Sequence, residues 1–261
     1  MSGGQIQVDF QDGVATLTVC HPEKRNAMTL SMWQQLAAAL LELAGAGVRV
    51  LTLTGAGARA FVSGADISEF DQARDGAAAV ARYNQAVADA QRLLAEFEAP
   101  TVALIQGACM GGGIGLALAC DLRYASASAR FRMPAARLGL GYSHADMRRL
   151  AGVVGAASAF DLFYTARTLD AEQAERRGLI HERYAEDDFA RQTRARVRAI
   201  AANAPLSLRA AKAAILATMN PPTAAELDAI DTQVAQCYAS EDYAEGRRAF
   251  AEKRDPVFLG R

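Results

Sequence analysis

The sequence predicts an α/β core capped by a C-terminal helical region. Short apolar or β-branched runs alternate with longer segments of helical period over the first 133 residues. Beyond residue 145 the pattern becomes almost wholly helical. Of the 261 residues 51% are hydrophobic and 22% charged, enough apolar side chain for a substantial core and too much for a disordered chain. No linker and no internal repeat divides the chain. Residues 1–200 therefore read as the core and residues 201–261 as a helical extension too small to fold alone.

Taken in order, the chain opens as a hairpin. Ile6 to Phe10 and Val14 to Val19 flank a turn at Gln11-Asp12-Gly13. Met28, Met32, Leu36, Leu40 and Leu43 repeat at helical spacing, which predicts a helix over Met28–Ala44 stopped by Gly45 and Gly47. Val48 to Thr54 (VRVLTLT) is an apolar strand, and a helix follows over about Ala77–Phe97. From Pro100 to Cys120 only Thr101 and Gln106 are clearly polar, a length that would span a bilayer. Five glycines break that run, so it reads as a buried strand, Thr101–Ile105, a glycine turn, and a small-residue helix over Gly111–Ala119. Asp121–Ala125 and Ala129–Met133 are two further short strands. The helical remainder is broken at Gly155, Thr168-Leu169-Asp170, Gly178, Pro205 and Pro221-Pro222.

Charge and composition narrow the function. Twenty-eight Lys+Arg against 29 Asp+Glu leave no field to hold a polyanion, so general nucleic-acid binding is not expected. The four cysteines (20, 109, 120, 237) show no CxxC and sit among small or apolar residues, which predicts buried free thiols. Three scattered histidines predict no metal centre. MSGGQIQVDF is not a signal peptide, so a cytoplasmic protein is the default expectation, with no membrane partner.

Two glycine motifs are candidate binding loops. Gly55-Ala-Gly57-Ala-Arg-Ala60 matches the dinucleotide pattern GxGxxA, but no long helical segment follows it. Gly107-Ala-Cys-Met-Gly111-Gly112-Gly113 lies between a buried strand and an apolar helix, where uncovered N–H groups face a positive helix end. The glycines there also permit tight strand–helix packing. Ser63-Gly64-Ala65-Asp66-Ile67 lies about one crossover helix upstream. Together the two segments supply independent backbone donors of the kind that build an oxyanion hole.

With these pieces in place the chain resembles the crotonase superfamily, the enoyl-CoA hydratase/isomerase family, along essentially its full length. The matching segments are HPEKRNAM (21–28), FVSGADISEF (61–70), PTVALIQGACMGGGIGLALACDLRYAS (100–126), FYTAR (163–167) and SEDYAEGRRAFAEKRDPVF (240–258). The resemblance implies a spiral of ββα units, trimers commonly paired into hexamers, and acyl-CoA thioester substrates. No separate cofactor is implied, because coenzyme A is part of the substrate. It assigns the C-terminal extension to trimerisation and cover of the CoA site. By position it places the oxyanion amides at Ala65 and Gly112. It sets Lys24, Arg25, Ser63, Asp66 and Ile67 along the CoA channel, and Lys253 and Arg254 near the CoA phosphates.

The same resemblance shows a departure. A family hydratase carries two glutamates that orient water and move protons. Their positions here are Gly115 and Ala135, neither of which transfers a proton. The ionisable groups left nearby lie in Leu138-Gly-Leu-Gly-Tyr142-Ser-His144-Ala-Asp146. LGLGY is similar to the LGxxY of methylmalonyl-CoA decarboxylases, where the tyrosine meets the acyl carboxylate region, although the histidine of their GHD motif is Ala65 here. The nucleophilic aspartate of aryl-CoA dehalogenases falls at Ser143. Tyr142 and His144 are thus the candidate catalytic side chains, with His144 either a general base or part of the polar start of the helix at Met147, and Asp146 its cap. The expected function is that of an acyl-CoA enzyme of this family that stabilises a thioester enolate in a backbone oxyanion hole, its exact reaction unassigned. The alternatives are a decarboxylase-like or isomerase conversion using Tyr142, or acyl-CoA binding without turnover.

Overall fold

The computed structural model describes residues 3–69, 76–219 and 221–261, with only the backbone of Ile67. The expected hairpin forms between β1 (Gln5–Gln11) and β2 (Val14–Cys20), in antiparallel register from Gln5↔Cys20 to Gln11↔Val14. Asp12 (φ 51°) and Gly13 (φ 77°) are both left-handed. That is the geometry in which a two-residue Asp-Gly turn matches strand twist. β3 (Val50–Gly55), β5 (Thr101–Ile105), β7 (Leu122–Ser126) and β10 (Glu182–Tyr184) extend the sheet in parallel, in the order β1-β2-β3-β5-β7-β10. β3 and β5 are almost wholly buried, which is why they read as continuous apolar runs rather than as alternation.

A second, four-stranded sheet has the order β4-β6-β8-β9, from β4 (Ala60–Val62), β6 (Ala108–Met110), β8 (Arg130–Arg132) and β9 (Leu169–Asp170). The sequence reading found only β8 of these, and it also missed β10. Each missed strand is two or three residues long, too short to display a period. β4 follows Gly55-Ala-Gly57-Ala-Arg directly as a strand, so the dinucleotide-like motif opens no helix.

Helices cover the sheets. α1 (Leu30–Leu43) is capped by the Thr29 hydroxyl, which accepts from the Met32 amide at 3.2 Å, and buries Met32, Trp33, Leu36, Ala39, Leu40 and Leu43. α2 (Gly76–Ala95) buries Tyr83, Ala90, Gln91 and Leu94. α3 (Gly112–Ala119) is apolar on every side and nearly all buried, as expected of a core helix. Its C-terminal end is closed by the buried Arg123, whose Nη1 donates to the Cys120 carbonyl at 2.8 Å and whose Nε donates to the Leu179 carbonyl at 2.9 Å. α4 (His144–Thr165) kinks at Gly155 (φ 76°). α5 (Ala171–Arg176), α6 (Glu186–Ala201), α7 (Pro205–Thr218), α8 (Ala224–Ala239) and α9 (Glu241–Glu252) complete the chain.

Polar contacts, buried at Lys212 and partly exposed at Arg49, tie this helical tail to the core. Lys212 donates to the Ala99 carbonyl at 3.2 Å and pairs with Asp121 at 2.9 Å. Arg49 donates to the Phe258 and Asn203 carbonyls at 3.0 and 3.2 Å. The Pro100–Cys120 stretch divides into β5, β6 and α3, and no described helix is long and apolar enough to cross a membrane. All four cysteines are free. Cys109 and Cys120 are buried, and burial pushes the Cys120 thiol up to about 12 and Cys109 higher still.

Candidate active site

Topology brings distant segments to one place. β4, β6 and β8 are parallel neighbours, so the chain leaves all three at the same sheet end. The exits are Ser63–Asp66, Gly111–Gly113 and Met133–Ala135, and open α/β sheets place ligands outside such carboxyl ends. The segments touch around Gly111. A Cβ built there would stand 3.9 Å from the Gly64 Cα, 4.0 Å from the Pro134 Cδ and 3.5 Å from the Tyr142 hydroxyl. The residues preceding Ala65 and Gly112 thus approach closely enough that a Cβ on Gly111 would touch Gly64.

Their amides are also available. Met28 and Ala65 form a parallel bridge, in which Met28 N–H donates to the Gly64 carbonyl at 2.8 Å and Asp66 N–H donates to the Met28 carbonyl at 2.9 Å. Successive N–H groups of an extended chain point to opposite edges. With Asp66 N–H turned to Met28, that of Ala65 is turned away from it. Gly112 is the first residue of α3, where no intrahelical acceptor exists. Neither amide has an acceptor among the described residues. With the far end of α3 capped by Arg123, Gly112 sits half-buried at the positive end of a short helix.

Side chains that the sequence reading did not single out hold this geometry. The Trp33 ring lies 3.2 Å from where a Gly112 Cβ would stand. Its Nε1 donates to the Tyr83 hydroxyl at 3.2 Å, and that hydroxyl donates to the Met28 carbonyl at 3.4 Å. The wall behind Gly112 is therefore linked to the segment that pairs with Ala65. Asn26 (φ 57°) anchors the preceding loop: it donates to the Ala60 and Ala56 carbonyls at 2.7 and 3.1 Å and accepts from His21 N–H at 3.0 Å.

At the two glutamate-free positions, Ala135 is buried at the start of a 3₁₀ turn, and Gly115 faces Gln91. The Gln91 Nε2 lies 2.5 Å from the position of a Gly115 Cβ, and its Oε1 accepts from Arg149 at 3.1 Å. Burial is the main influence lowering the Arg149 pKa. Sequence reasoning missed Gln91 although it follows the apolar Ala90 on the inward face of α2. A polar residue among buried neighbours was the available signal.

The remaining candidates fall into three groups. Lys24, Arg25 and Ser63 come together: Ser63 N–H donates to the Arg25 carbonyl at 3.3 Å and its hydroxyl to the Lys24 carbonyl at 3.1 Å. Arg25 also lines a cleft of about 300 Å³ with Pro22, Asn26 and Ala56–Ala60. Asp66 caps the following turn, accepting from the Ser68 amide at 3.0 Å and hydroxyl at 2.7 Å. Burial alone would raise its pKa. The Ser68 bonds, with the Lys24 and His21 charges, outweigh burial and hold the carboxyl below its ordinary value. The Ile67 side chain lies outside the described residues.

Tyr142 is half-buried beside Gly111, with its ring edge-on to Phe163 at 5.7 Å. His144 is exposed on the first turn of α4, with no hydrogen bond to a described side chain. The helix begins at His144 rather than Met147, and its cap is Ser143, which accepts from Asp146 N–H at 3.1 Å. Asp146 instead accepts from the Ser143 hydroxyl at 2.6 Å. Lys253 ends α9 in the left-handed region, whereas Arg254 is committed to Glu245 and Glu252, each at 2.6 Å. Among the described residues no cluster of His, Cys, Asp and Glu is placed to hold a metal.

A mixed α/β chain with parallel sheets, three loop segments leaving one sheet end and a helical C-terminus defines the crotonase fold class. The sequence profile of the enoyl-CoA hydratase/isomerase family matches residues 9–261, and the chain belongs to that family. It is 34% identical over its full length, and the full length of the relative, to a "Probable enoyl-CoA hydratase" of Rhodobacter capsulatus. It is 30% identical to the short-chain-enoyl-CoA hydratase of Clostridium acetobutylicum, covering 97% of each chain. The crystal structure of an enoyl-CoA hydratase/carnithine racemase from Magnetospirillum magneticum superposes with a TM-score of 0.91 at 34% identity, covering 98% of this chain and 96% of that one.

Proposed function

We propose that this protein binds an acyl-CoA thioester and polarises its carbonyl between the N–H groups of Ala65 and Gly112. Proton removal from the α-carbon, addition at the β-carbon and loss of an α-carboxylate all drive negative charge onto the thioester oxygen. Two preorganised donors lower each of those barriers, and one lost donor costs about 2.7–4 kcal/mol. The observation that carries this reading is the close approach of Gly64 and Gly111, with 3.9 Å between the Gly64 Cα and the position of a Gly111 Cβ, each glycine being followed by an amide without an acceptor among the described residues. Lys24, Arg25, Ser63, Asp66 and Ile67 line the approach for the CoA moiety, with Lys253 reaching its phosphates.

With Gly115 and Ala135 in place of carboxylates, hydration is not the favoured reaction. Tyr142, beside the carbonyl site, is the polar group for an isomerase-like or decarboxylase-like conversion. The absence of both glutamates also favours a second reading, acyl-CoA binding without turnover. A mass-spectrometric screen of an acyl-CoA panel separates the two. Proline is tolerated at the first helical position, so Gly112→Pro deletes the donor, and circular dichroism checks that α3 is kept with the proline ring against Trp33. Catalysis predicts a product whose kcat/KM falls about 10²–10³-fold in Gly112→Pro and also falls in Tyr142→Phe. Tight binding with no product from any panel member supports the second reading, and failure to bind any acyl-CoA refutes both.

A further inference from the structure

Beside the amides, three helices meet at a polar cluster that the proposed chemistry does not use. Gln91 on α2 is 3% exposed. Its Oε1 accepts from Arg149 on α4, which fixes the carboxamide so that Nε2 faces Gly115 on α3. That Nε2 has no acceptor among the described residues. Gly115 lies one turn after Gly112, about 4.5 Å further along the helix axis. The Arg149 side chain is 18% exposed, and its one ion-pair contact among the described residues is Asp146 at 3.9 Å. That separation is too long for a hydrogen bond, and the other Asp146 oxygen is occupied by the Ser143 hydroxyl. A guanidinium carries five N–H donors, and among the described residues one of them is used.

The polarity of the acyl end is therefore inverted relative to a hydratase. In place of a carboxylate it presents an N–H donor on a buried side chain, backed by a guanidinium whose nearest ion-pair partner among the described residues stands 3.9 Å away and which also feels the Glu96 charge. Such a pair repels nothing anionic and leaves a neutral alkyl chain to bury a donor unpaired, which is costly. We propose that Gln91 and Arg149 form a carboxylate-recognition subsite and that the acyl groups this protein binds end in a carboxylate. The inference rests on the acyl-CoA reading and names its substrate class.

Matched pairs of stable CoA analogues, with a methylene replacing the thioester sulfur, test it by calorimetry. In the succinyl/butyryl and glutaryl/pentanoyl pairs the carboxylate takes the place of a methyl group. The diacid of at least one pair binds about tenfold or more tighter, as a charge-assisted hydrogen bond provides. In Arg149→Met the ratio drops to near one. In the nearly isosteric Gln91→Glu, whose carboxylate neutralises Arg149, the ratio also collapses, and its circular dichroism shows that the fold is kept. A ratio near one in the wild-type protein, or one that survives Arg149→Met, overturns the subsite alone. Absence of binding by every analogue overturns the acyl-CoA reading with it.

Discussion

At Gly115 the chain offers no side chain, and the space is taken by the Gln91 carboxamide. A glutamate introduced there alone meets Gln91 and displaces it from Arg149. Gly115→Glu by itself is therefore expected to lower thermal stability and add little activity. The triple variant Gly115→Glu/Ala135→Glu/Gln91→Ala removes the obstruction and restores both carboxylates. It is expected to hydrate crotonyl-CoA at least about 10²-fold faster than the parent, the lower end of what general acid–base catalysis contributes. A steady-state assay checks this, and a parent that already hydrates crotonyl-CoA at the triple variant's rate contradicts it. The glycines and their neighbours at 63–67 and 107–115 were legible in the sequence because glycine runs beside apolar strands are rare and their chemistry is in the backbone. Gln91, Trp33 and Tyr83 were not, because they sit on helical faces where an inward position is distinguishable only once neighbouring helices are known.

Elements fix the distance between the two donors. A Cβ on Gly113 would lie 2.3 Å from the Val62 carbonyl oxygen, which is backbone of β4 and cannot rotate away. Gly113→Ala therefore forces α3 and β4 apart. It is expected to cost about 1–3 kcal/mol in urea unfolding and to lower turnover or ligand affinity as well, since Ala65 follows β4 and Gly112 opens α3. An unchanged unfolding midpoint would argue against this packing. A second element-scale effect depends on pH. Arg254, with the Val257 amide and Arg248, holds the Glu245 carboxyl well below the usual glutamate range. A depressed folded-state pKa means that the stabilisation is fully present above the unfolded value of about 4.3 and is lost as pH falls below it. Amide exchange at residues 253–261, corrected for intrinsic rates, is expected to accelerate below about pH 4. In Glu245→Gln it should already be fast at neutral pH. Longer elements were legible to within a few residues, β5, β2 and α3 most closely. β4, β6, β9 and β10 were not, because their two or three residues are stabilised by neighbours brought together only by the fold.

For the molecule as a whole, the helical tail presents apolar surface outward. Phe250 is 87% exposed and Tyr238 66%, beside a groove of about 810 Å³ lined also by Leu206, Ala210 and Val234. Exposed apolar surface of this kind is what the trimers or hexamers implied by the family resemblance would cover. Light scattering is expected to give three or six times the mass of one chain, falling to a single chain in Phe250→Glu/Tyr238→Glu. A wild-type monomer contradicts the proposed assembly. The α/β core with its helical tail was legible from the order of apolar periods. The two-sheet arrangement that aligns β4, β6 and β8 was not, since a chain does not reveal which strands become neighbours.

The most direct test is a crystal structure with butyryl-CoA or succinyl-CoA bound. The thioester oxygen is expected roughly 2.7–3.1 Å from the nitrogens of both Ala65 and Gly112. A well-ordered thioester whose oxygen approaches neither amide, or only one, contradicts the account.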